Sequence, residues 1–264
     1  MRKAIFAIAV SMLALHQSAA GQTTATPQAT PLPLGIPIVS TVKVTGSDSK
    51  AAEFNSNWLP QFRAIINNNL KESVQFTAAS GFKLDADRFF LRKASPYPIR
   101  VYFLAEGAGY QNAVGFTFTP AGSSVPGTPY LIFPNSSARS GSTRTIDEPL
   151  KQGDFVELGH GGNGWQLDFF LLSDGFRKWR QHTNKTNFQS LPNPSITWLW
   201  NDLTKNSDRL QHVVAFVLPN SPYVLVGFED IVGGGDLDYN DVLFVVDIGL
   251  ENASNLINES TLPQ

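Results

Sequence analysis

The chain has 264 residues, a formal net charge of −2 and no cysteine. The near-neutral charge, without a basic patch, argues against a nucleic-acid partner. The lack of cysteine excludes disulfides, thiol catalysis and zinc-thiolate sites. Hydrophobic residues make up 42% of the sequence, which is enough to build a folded core.

Residues 1–20 have the pattern of a secretory signal peptide. Arg2 and Lys3 form a basic start, Ala4–Leu15 is apolar, and three small residues precede position 21. Residues 21–35 are rich in Thr and Pro and are predicted to form a linker. No later segment approaches about 20 consecutive apolar residues. We therefore expect no stable membrane insertion and a secreted, periplasmic or cell-surface location.

The window Trp58–Leu70 predicts one short helix near the N-terminus, because large apolar residues recur at three- and four-residue steps. Ile36–Val44 predicts a strand, and the rest of the chain is mostly strand-like, with Gly, Pro and Asn turns. The further predicted strands are Ile99–Leu104, Ala113–Thr119, Tyr130–Phe133, Phe155–Leu158, Trp165–Leu172, Val213–Leu218, Tyr223–Phe228 and Val242–Ile248. This spacing predicts an all-β fold, an antiparallel β-sandwich of jelly-roll type. We expect a single domain over residues 36–250, followed by a polar C-terminal tail over residues 251–264.

Acidic residues are concentrated between Gly227 and Gly249, in the stretch GFEDIVGGGDLDYNDVLFVVDIG. Residues 210–264 carry eight acidic and no Lys or Arg side chains, whereas residues 1–209 carry 20 basic and 14 acidic ones. Three consecutive glycines let the backbone fold closely around a ligand, and calcium prefers oxygen donors such as carboxylates and amides. We therefore expect a bound calcium ion. The candidate ligands in this hairpin are Glu229, Asp230, Asp236, Asp238, Asn240 and Asp241.

Glu106 is a further candidate ligand from a distant part of the chain. It follows the predicted strand Ile99–Leu104 and precedes a glycine-rich turn, so it too lies at a strand end. A metal ion that joined two hairpins would add its binding free energy to the stability of the fold. The D-x-D-x-x-D spacing is not that of an EF-hand, because the Gly at position six and the Glu at position twelve are lacking and the motif leads into a strand.

The motif GFED followed by GGGDLDYNDVLF resembles the C-terminal signature of the domain-of-unknown-function family numbered 4114. Five upstream stretches fall in the order typical of that family: AEGAGYQNAVGF, LIFPNSSA, LKQGDFVELG, GWQLDFFLLSDG and LQHVVAF. The resemblance extends roughly from Ile99 to Gly249. It implies a β-rich extracellular module that binds calcium, for which no activity is established.

Three functional classes are compatible with this pattern. The first is an exported, non-catalytic calcium-binding module with a structural or adhesive role, with an extracellular polysaccharide or surface protein as partner. The second is a carbohydrate-binding module, which an exposed platform of Trp165, Trp179, Trp198 or Trp200 would indicate. The third is a glycoside hydrolase that uses two hairpin carboxylates as acid and base. We favour the first, because five crowded carboxylates suit cation binding better than they suit an acid–base pair.

Overall fold

A computed structural model of the protein describes residues 35–77, 83–86, 89–138, 143–182 and 196–260. The predicted signal peptide lies outside these residues, as does the predicted linker up to residue 34.

A helical segment precedes the first strand, and the sequence predicts a helix within it. Helix α1 (Ser49–Glu53) continues through a π-helical turn (Phe54–Trp58) into helix α2 (Leu59–Asn69), which lies inside the predicted window. Asp48 caps α1, because its carboxylate accepts a hydrogen bond from the N–H of Ala51 at 2.8 Å.

Strands form most of the remaining regular secondary structure. In chain order they are β1 (Lys83–Leu84), β2 (Phe90–Leu91), β3 (Ile99–Ala105), β4 (Ala113–Thr119), β5 (Tyr130–Phe133), β6 (Phe155–Gly159), β7 (Trp165–Ser173), β8 (Thr197–Trp200), β9 (Val213–Val217), β10 (Tyr223–Phe228) and β11 (Val242–Asp247). They pair antiparallel in two sheets. The larger sheet has the order β1-β9-β10-β11-β3-β6, and the smaller has the order β2-β7-β4-β5, with β8 also paired to β7.

The prediction of a mostly β, antiparallel fold is confirmed. The eight strands predicted from Ile99 onward correspond to β3–β7 and β9–β11. The strand predicted for Ile36–Val44 is wrong. This segment makes only isolated bridges, from Ile38 to β5 in one sheet and from Lys43 to β6 in the other. A segment that contacts two sheets in turn cannot continue as a strand of either.

The prediction of one helix is incomplete, because two helices occur in the C-terminal half. Helix α3 spans Gly175–His182, and helix α4 spans Leu250–Ser260, where the sequence predicted a polar tail. Three-residue spacing places Ala253 and Leu256 of α4 in the main core, where both are fully buried. Within the described residues, no helix has the length and apolar character needed to cross a membrane.

Side chains of the two sheets meet in one hydrophobic core. The rings of Phe169 on β7 and Phe244 on β11 lie 5.2 Å apart, and Phe228 on β10 stacks on Phe244 at 6.1 Å. The other face of the larger sheet is covered by the helical segment, where Phe54 stacks on Tyr102 at 4.0 Å. With both faces covered, every residue of β10 and β11 is buried, which explains their continuous apolar runs.

Replacing Phe244 by alanine is expected to destabilise the protein by about 3–5 kcal/mol, because it leaves a cavity between the two sheets. Urea unfolding followed by circular dichroism measures the change. The matched control is Phe90→Ala, whose side chain is 46% exposed and whose loss should cost less than about 1 kcal/mol. Equal losses for the two variants would contradict a core built around Phe244.

Candidate metal centre

The acidic residues lie in the loop that joins β10 to β11. Phe228 pairs with Val242 across the hairpin, so Glu229 and Asp230 follow the last residue of β10 and Asp241 directly precedes the first residue of β11. Strand pairing therefore brings together acids that are eleven or twelve positions apart in the chain.

Segments distant in sequence hold this loop in place. The N–H of Gly107, just after β3, donates to the carbonyl of Asn240 at 3.2 Å. The N–H of Gly233 donates to the carboxylate of Asp208 at 2.8 Å, and the same carboxylate oxygen lies 2.9 Å from Nε2 of His212. The loop is thus attached to the segments that follow β3 and precede β9.

The backbone of the loop adopts an unusual conformation. Gly233–Gly235 have φ values of 90°, 88° and 50°, and the non-glycine residues Leu237 and Tyr239 also have positive φ, at 60° and 56°. Such conformations are strained for L-residues and cluster at ligand-binding sites. A Cβ atom on Gly235 would lie 1.9 Å from Oε1 of Glu229, so glycine is needed for the carboxylate to pack against the backbone.

An outer group of carboxylates lies at the surface of the loop. One oxygen each of Glu72, Asp236 and Asp238 lies within 4.8 Å of the others. Glu72 and Asp236 are exposed, whereas Asp238 is buried. Asp238 is held by the backbone N–H of Ser73 at 2.7 Å and by the side-chain amide of Asn240 at 2.8 Å. These donors orient one carboxylate and leave the other two open to solvent.

The amide oxygen of Asn240 is directed toward the same place. A Cβ atom on Gly107 would lie 2.4 Å from Oδ1 of Asn240 and 3.0 Å from Oε2 of Glu72. The missing side chain at Gly107 therefore leaves space into which an amide oxygen and a carboxylate oxygen both project. Oxygen donors of these two kinds are typical calcium ligands.

An inner group consists of Glu106, Asp230 and Asp241. The N–H of Asp230 donates to Oδ2 of Asp241 at 2.8 Å, and the amide of Asn112 donates to Oδ2 of Asp230 at 2.7 Å. Burial raises the pKa of Asp241 to about 8, and the charge of Asp230 adds to the shift. Burial also raises the pKa of Asp230. Burial raises the pKa of Glu106 to about 7. The charge of Asp230 adds to this increase, whereas a hydrogen bond from the N–H of Ala138 opposes it.

Glu229 lies among both groups. Its side chain is 1% exposed, and its Oε2 atom has no hydrogen-bond partner. Burial raises its pKa to about 7, and the charges of Asp236 and Asp238 add to this increase. A hydrogen bond from the N–H of Tyr239 opposes it. A buried carboxylate oxygen without a donor is costly to ionise, which is the physical reason for the raised pKa of Glu229.

In the described part of the chain, no basic side chain forms a salt bridge with Glu229. None of the salt bridges there involves an acid of the inner group, the outer group or Glu229. A neighbouring acid, Asp174, does form a salt bridge, with Arg177 at 3.4 Å. Asp174 in turn is near enough to raise the pKa of Asp230 by its charge.

The structure places all seven predicted residues at one end of the larger sheet. Three belong to the inner group, Asp236, Asp238 and Asn240 lie at the outer group, and Glu229 lies between the two. Glu106 reaches the hairpin because β3 pairs with β11, with Ala105 opposite Leu243. Sequence reasoning missed Glu72 and Asn112. Nothing local distinguishes Glu72, whereas Asn112 falls in one of the stretches that carried the family resemblance.

Comparison with known proteins confirms the family resemblance over part of the chain. Residues 162–249 match the family described as Domain of unknown function (DUF4114). The matched segment contains the whole acidic hairpin, whereas Glu72, Glu106 and Asn112 precede it. No curated protein and no solved structure matched the chain.

With metal removed by EDTA, the free energy of unfolding is expected to fall as pH rises from about 5 to 8, by at least about 1 kcal/mol. The reason is that Glu106 and Glu229 have pKa values of about 7 and Asp241 of about 8 in the folded protein, above their ordinary values of 4.5 and 3.8. The folded state therefore binds protons more tightly than the unfolded state in this window. Urea titrations at pH 5, 6, 7 and 8 measure the trend, and stability that rises with pH would contradict it.

Gly235→Ala is expected to cost at least about 1 kcal/mol more than Gly233→Ala, because only the first pushes a Cβ atom into Glu229. Both glycines have positive φ, but no atom lies within 4 Å of the added Cβ at Gly233. The φ of 90° at Gly233 is the less favourable one for alanine, so a larger loss at Gly235 reports the contact with Glu229. Urea unfolding of both variants provides the comparison, and equal losses would show that Glu229 does not need this glycine.

Proposed function

We propose that this protein is an exported calcium-binding module with a structural or adhesive role and no catalytic activity. The observation that carries the proposal is the carboxylate of Glu229, which is buried, has an oxygen without a hydrogen-bond partner, and lies among further carboxylates without a basic partner in the described chain. A bound divalent cation would supply the missing partner and neutralise the neighbouring charges.

The donor set favours calcium over other ions. The outer group offers Glu72, Asp236, Asp238 and the amide oxygen of Asn240, and Glu229 lies beside it. A mixed set of carboxylate and amide oxygens from an irregular loop suits the flexible, high coordination number of calcium, whereas magnesium requires a tighter octahedron. Histidine or thiolate ligands, which zinc prefers, are lacking from this set.

The inner group would extend the metal centre toward the core. Asp230, Asp241 and Glu106 are buried to different degrees and interact electrostatically with one another. A cation nearby would favour their ionised forms, so calcium binding and proton release are expected to be linked. This linkage is the reverse of the pH dependence expected for the metal-free protein.

Calcium would join three parts of the fold. Glu72 follows α2, Glu106 follows β3, and the remaining ligands belong to the hairpin. Since these parts are far apart in sequence, an ion that contacts all of them stabilises the folded state over the unfolded chain. In a protein without cysteine, such an ion would serve where exported domains often use disulfides.

The arrangement favours binding over hydrolysis. In a glycoside hydrolase, two carboxylates face each other across a substrate cleft. Cavities of about 460, 500 and 460 Å³ in the described structure are not lined by any acid of the hairpin. The backbone N–H groups that hold Asp238 and Asp241 also orient them within the loop instead of toward a cleft.

Export and topology belong to the same proposal. The basic and apolar start of the sequence supports secretion to the periplasm, the cell surface or the medium. An extracellular polysaccharide or a surface protein is the expected partner.

We also infer a jelly-roll-type sandwich. It is supported by a chain that crosses between the sheets after β1, β2, β3, β5, β6 and β8 and by the core that the sheets share.

Calcium is expected to raise the melting temperature of EDTA-treated protein. The substitution Glu229→Gln should stabilise the protein in the absence of calcium and weaken the stabilisation that calcium provides. Without calcium at pH 8, the amide removes a buried negative charge, so the variant should melt higher than the wild type. With calcium, the variant loses a ligand charge, so its calcium-dependent increase should be smaller. Differential scanning calorimetry, combined with calorimetric titration of calcium, measures both effects.

Two controls make this test specific. Glu251→Gln changes an exposed carboxylate on α4, with 63% of the side chain exposed, and should leave the calcium effect unchanged. The double variant Asp238→Ala with Asp241→Ala should abolish it. A wild-type protein with neither a melting shift nor heat of binding would refute the calcium proposal.

A further inference from the structure

A cavity of about 500 Å³ lies at the opposite end of the larger sheet from the acidic hairpin. Tyr223 and Arg100 line it, and they begin β10 and β3, whereas the acids follow the ends of these strands. The cavity has the volume of an ordinary small-molecule site. It is independent of the proposed calcium site, because the two share no residue.

Three aromatic side chains, Trp58, Tyr97 and Tyr223, form part of the wall. Trp58 is the last residue of the π-helical turn between α1 and α2, and it is half-buried against Tyr223, with ring centroids 5.5 Å apart. One face of Tyr97 is covered by the ammonium group of Lys50 at 3.1 Å. Trp58 is therefore the aromatic side chain best placed to offer its surface to a ligand. π-Helical turns occur frequently at functional sites.

Charged groups complete the wall, and they are balanced. Lys50 and Arg100 contribute two positive charges, and Glu53 and Glu157 contribute two negative charges. Both cations already form ion pairs. Lys50 is 2.6 Å from the buried carboxylate of Asp247, and Arg100 contacts Glu157 at 2.9 Å. Ion pairs of this kind orient the polar groups without giving the cavity a net charge.

This combination selects against two classes of ligand. A small ion would have to break existing ion pairs, and each broken pair would leave a desolvated charge without its counter-charge. A purely apolar ligand would cover four charged groups without bonding to them. A ligand with one apolar face and many hydroxyl groups meets both requirements, because a hydroxyl can accept from Lys50 or donate to Glu53 or Glu157 while Arg100 keeps its ion pairs.

We propose that this cavity binds a neutral sugar residue of a saccharide chain, with the C–H face of the ring against Trp58 and its hydroxyl groups bonded to the charged wall. Arg100 is held in a fixed position by Asp48 and Glu157, at 2.9 Å from each, so little side-chain freedom is lost on binding. The site would give the exported protein a polysaccharide contact at the end remote from the metal centre.

Isothermal titration calorimetry of the purified full chain with cellohexaose, maltohexaose and xylohexaose tests the proposal. Saturable binding of at least one of the three is expected, accompanied by a change in tryptophan fluorescence. Trp58→Ala should weaken that binding by at least about tenfold, because the stacking surface is lost. Tyr130→Ala is the matched control, since Tyr130 is an exposed aromatic residue that lines a different cavity of about 460 Å³, and its affinity should stay that of the wild type.

A second variant separates ligand contact from folding, because Trp58 also packs on Tyr223. Glu53→Ala changes an exposed side chain on the cavity wall and should lower affinity by about fivefold without a change in melting temperature. No saturable binding of any of the three saccharides would overturn the proposal. Binding that both variants leave unchanged, or that is tighter for an acidic oligogalacturonate than for the neutral saccharides, would overturn it as well.

Discussion

Buried carboxylates without a basic partner among the described residues are the constraint on which the acidic end of this fold depends. Removing an ionised carboxylate from water is costly unless a donor or a cation replaces the lost solvation. Around the hairpin, backbone N–H groups and the amides of Asn112 and Asn240 supply part of that replacement. Glu229 keeps an oxygen without a donor. The glycines, the left-handed residues and the attachment of the loop to distant segments all hold these acids close together in spite of their repulsion.

Strand β11 allows a comparison of two solutions to the same problem. Asp247, at its end, is fully buried, but Lys50 lies 2.6 Å away and the hydroxyl of Tyr97 donates at 2.9 Å. Asp241, just before the strand, has Asp230 and Glu229 as its charged neighbours. The protein thus compensates one buried aspartate with its own lysine, whereas no salt bridge among the described residues involves Asp241. This contrast within one strand supports the calcium proposal independently of the loop composition.

The larger sheet therefore presents different chemistry at its two ends. At the hairpin end the charges are of one sign, which suits a metal ion, whereas at the Tyr223 end the charges are paired beside Trp58, which suits a neutral polar ligand. Strands β3 and β10 run from one of these environments to the other, so the two are rigidly connected yet separate. A calcium ion would stabilise the sheet without touching the proposed saccharide site.

Local patterns predicted the strands and the helix correctly where the packing followed from short-range periodicity. The apolar runs of β10 and β11 and the spacing in α2 are properties of neighbouring residues, so they are visible in the sequence. Ile36–Val44 and α4 were predicted wrongly because their conformation depends on partners far away. The first contacts two sheets in turn, and the second is helical although its composition is polar, with Ala253 and Leu256 placed in the core. The acidic hairpin was predictable as a cluster because its members are close in sequence. Its division into an outer and an inner group, the participation of Glu72 and Asn112, and the burial of Glu229 were decided by tertiary structure, since desolvation and charge repulsion depend on distances that only the packed sheets and helices set.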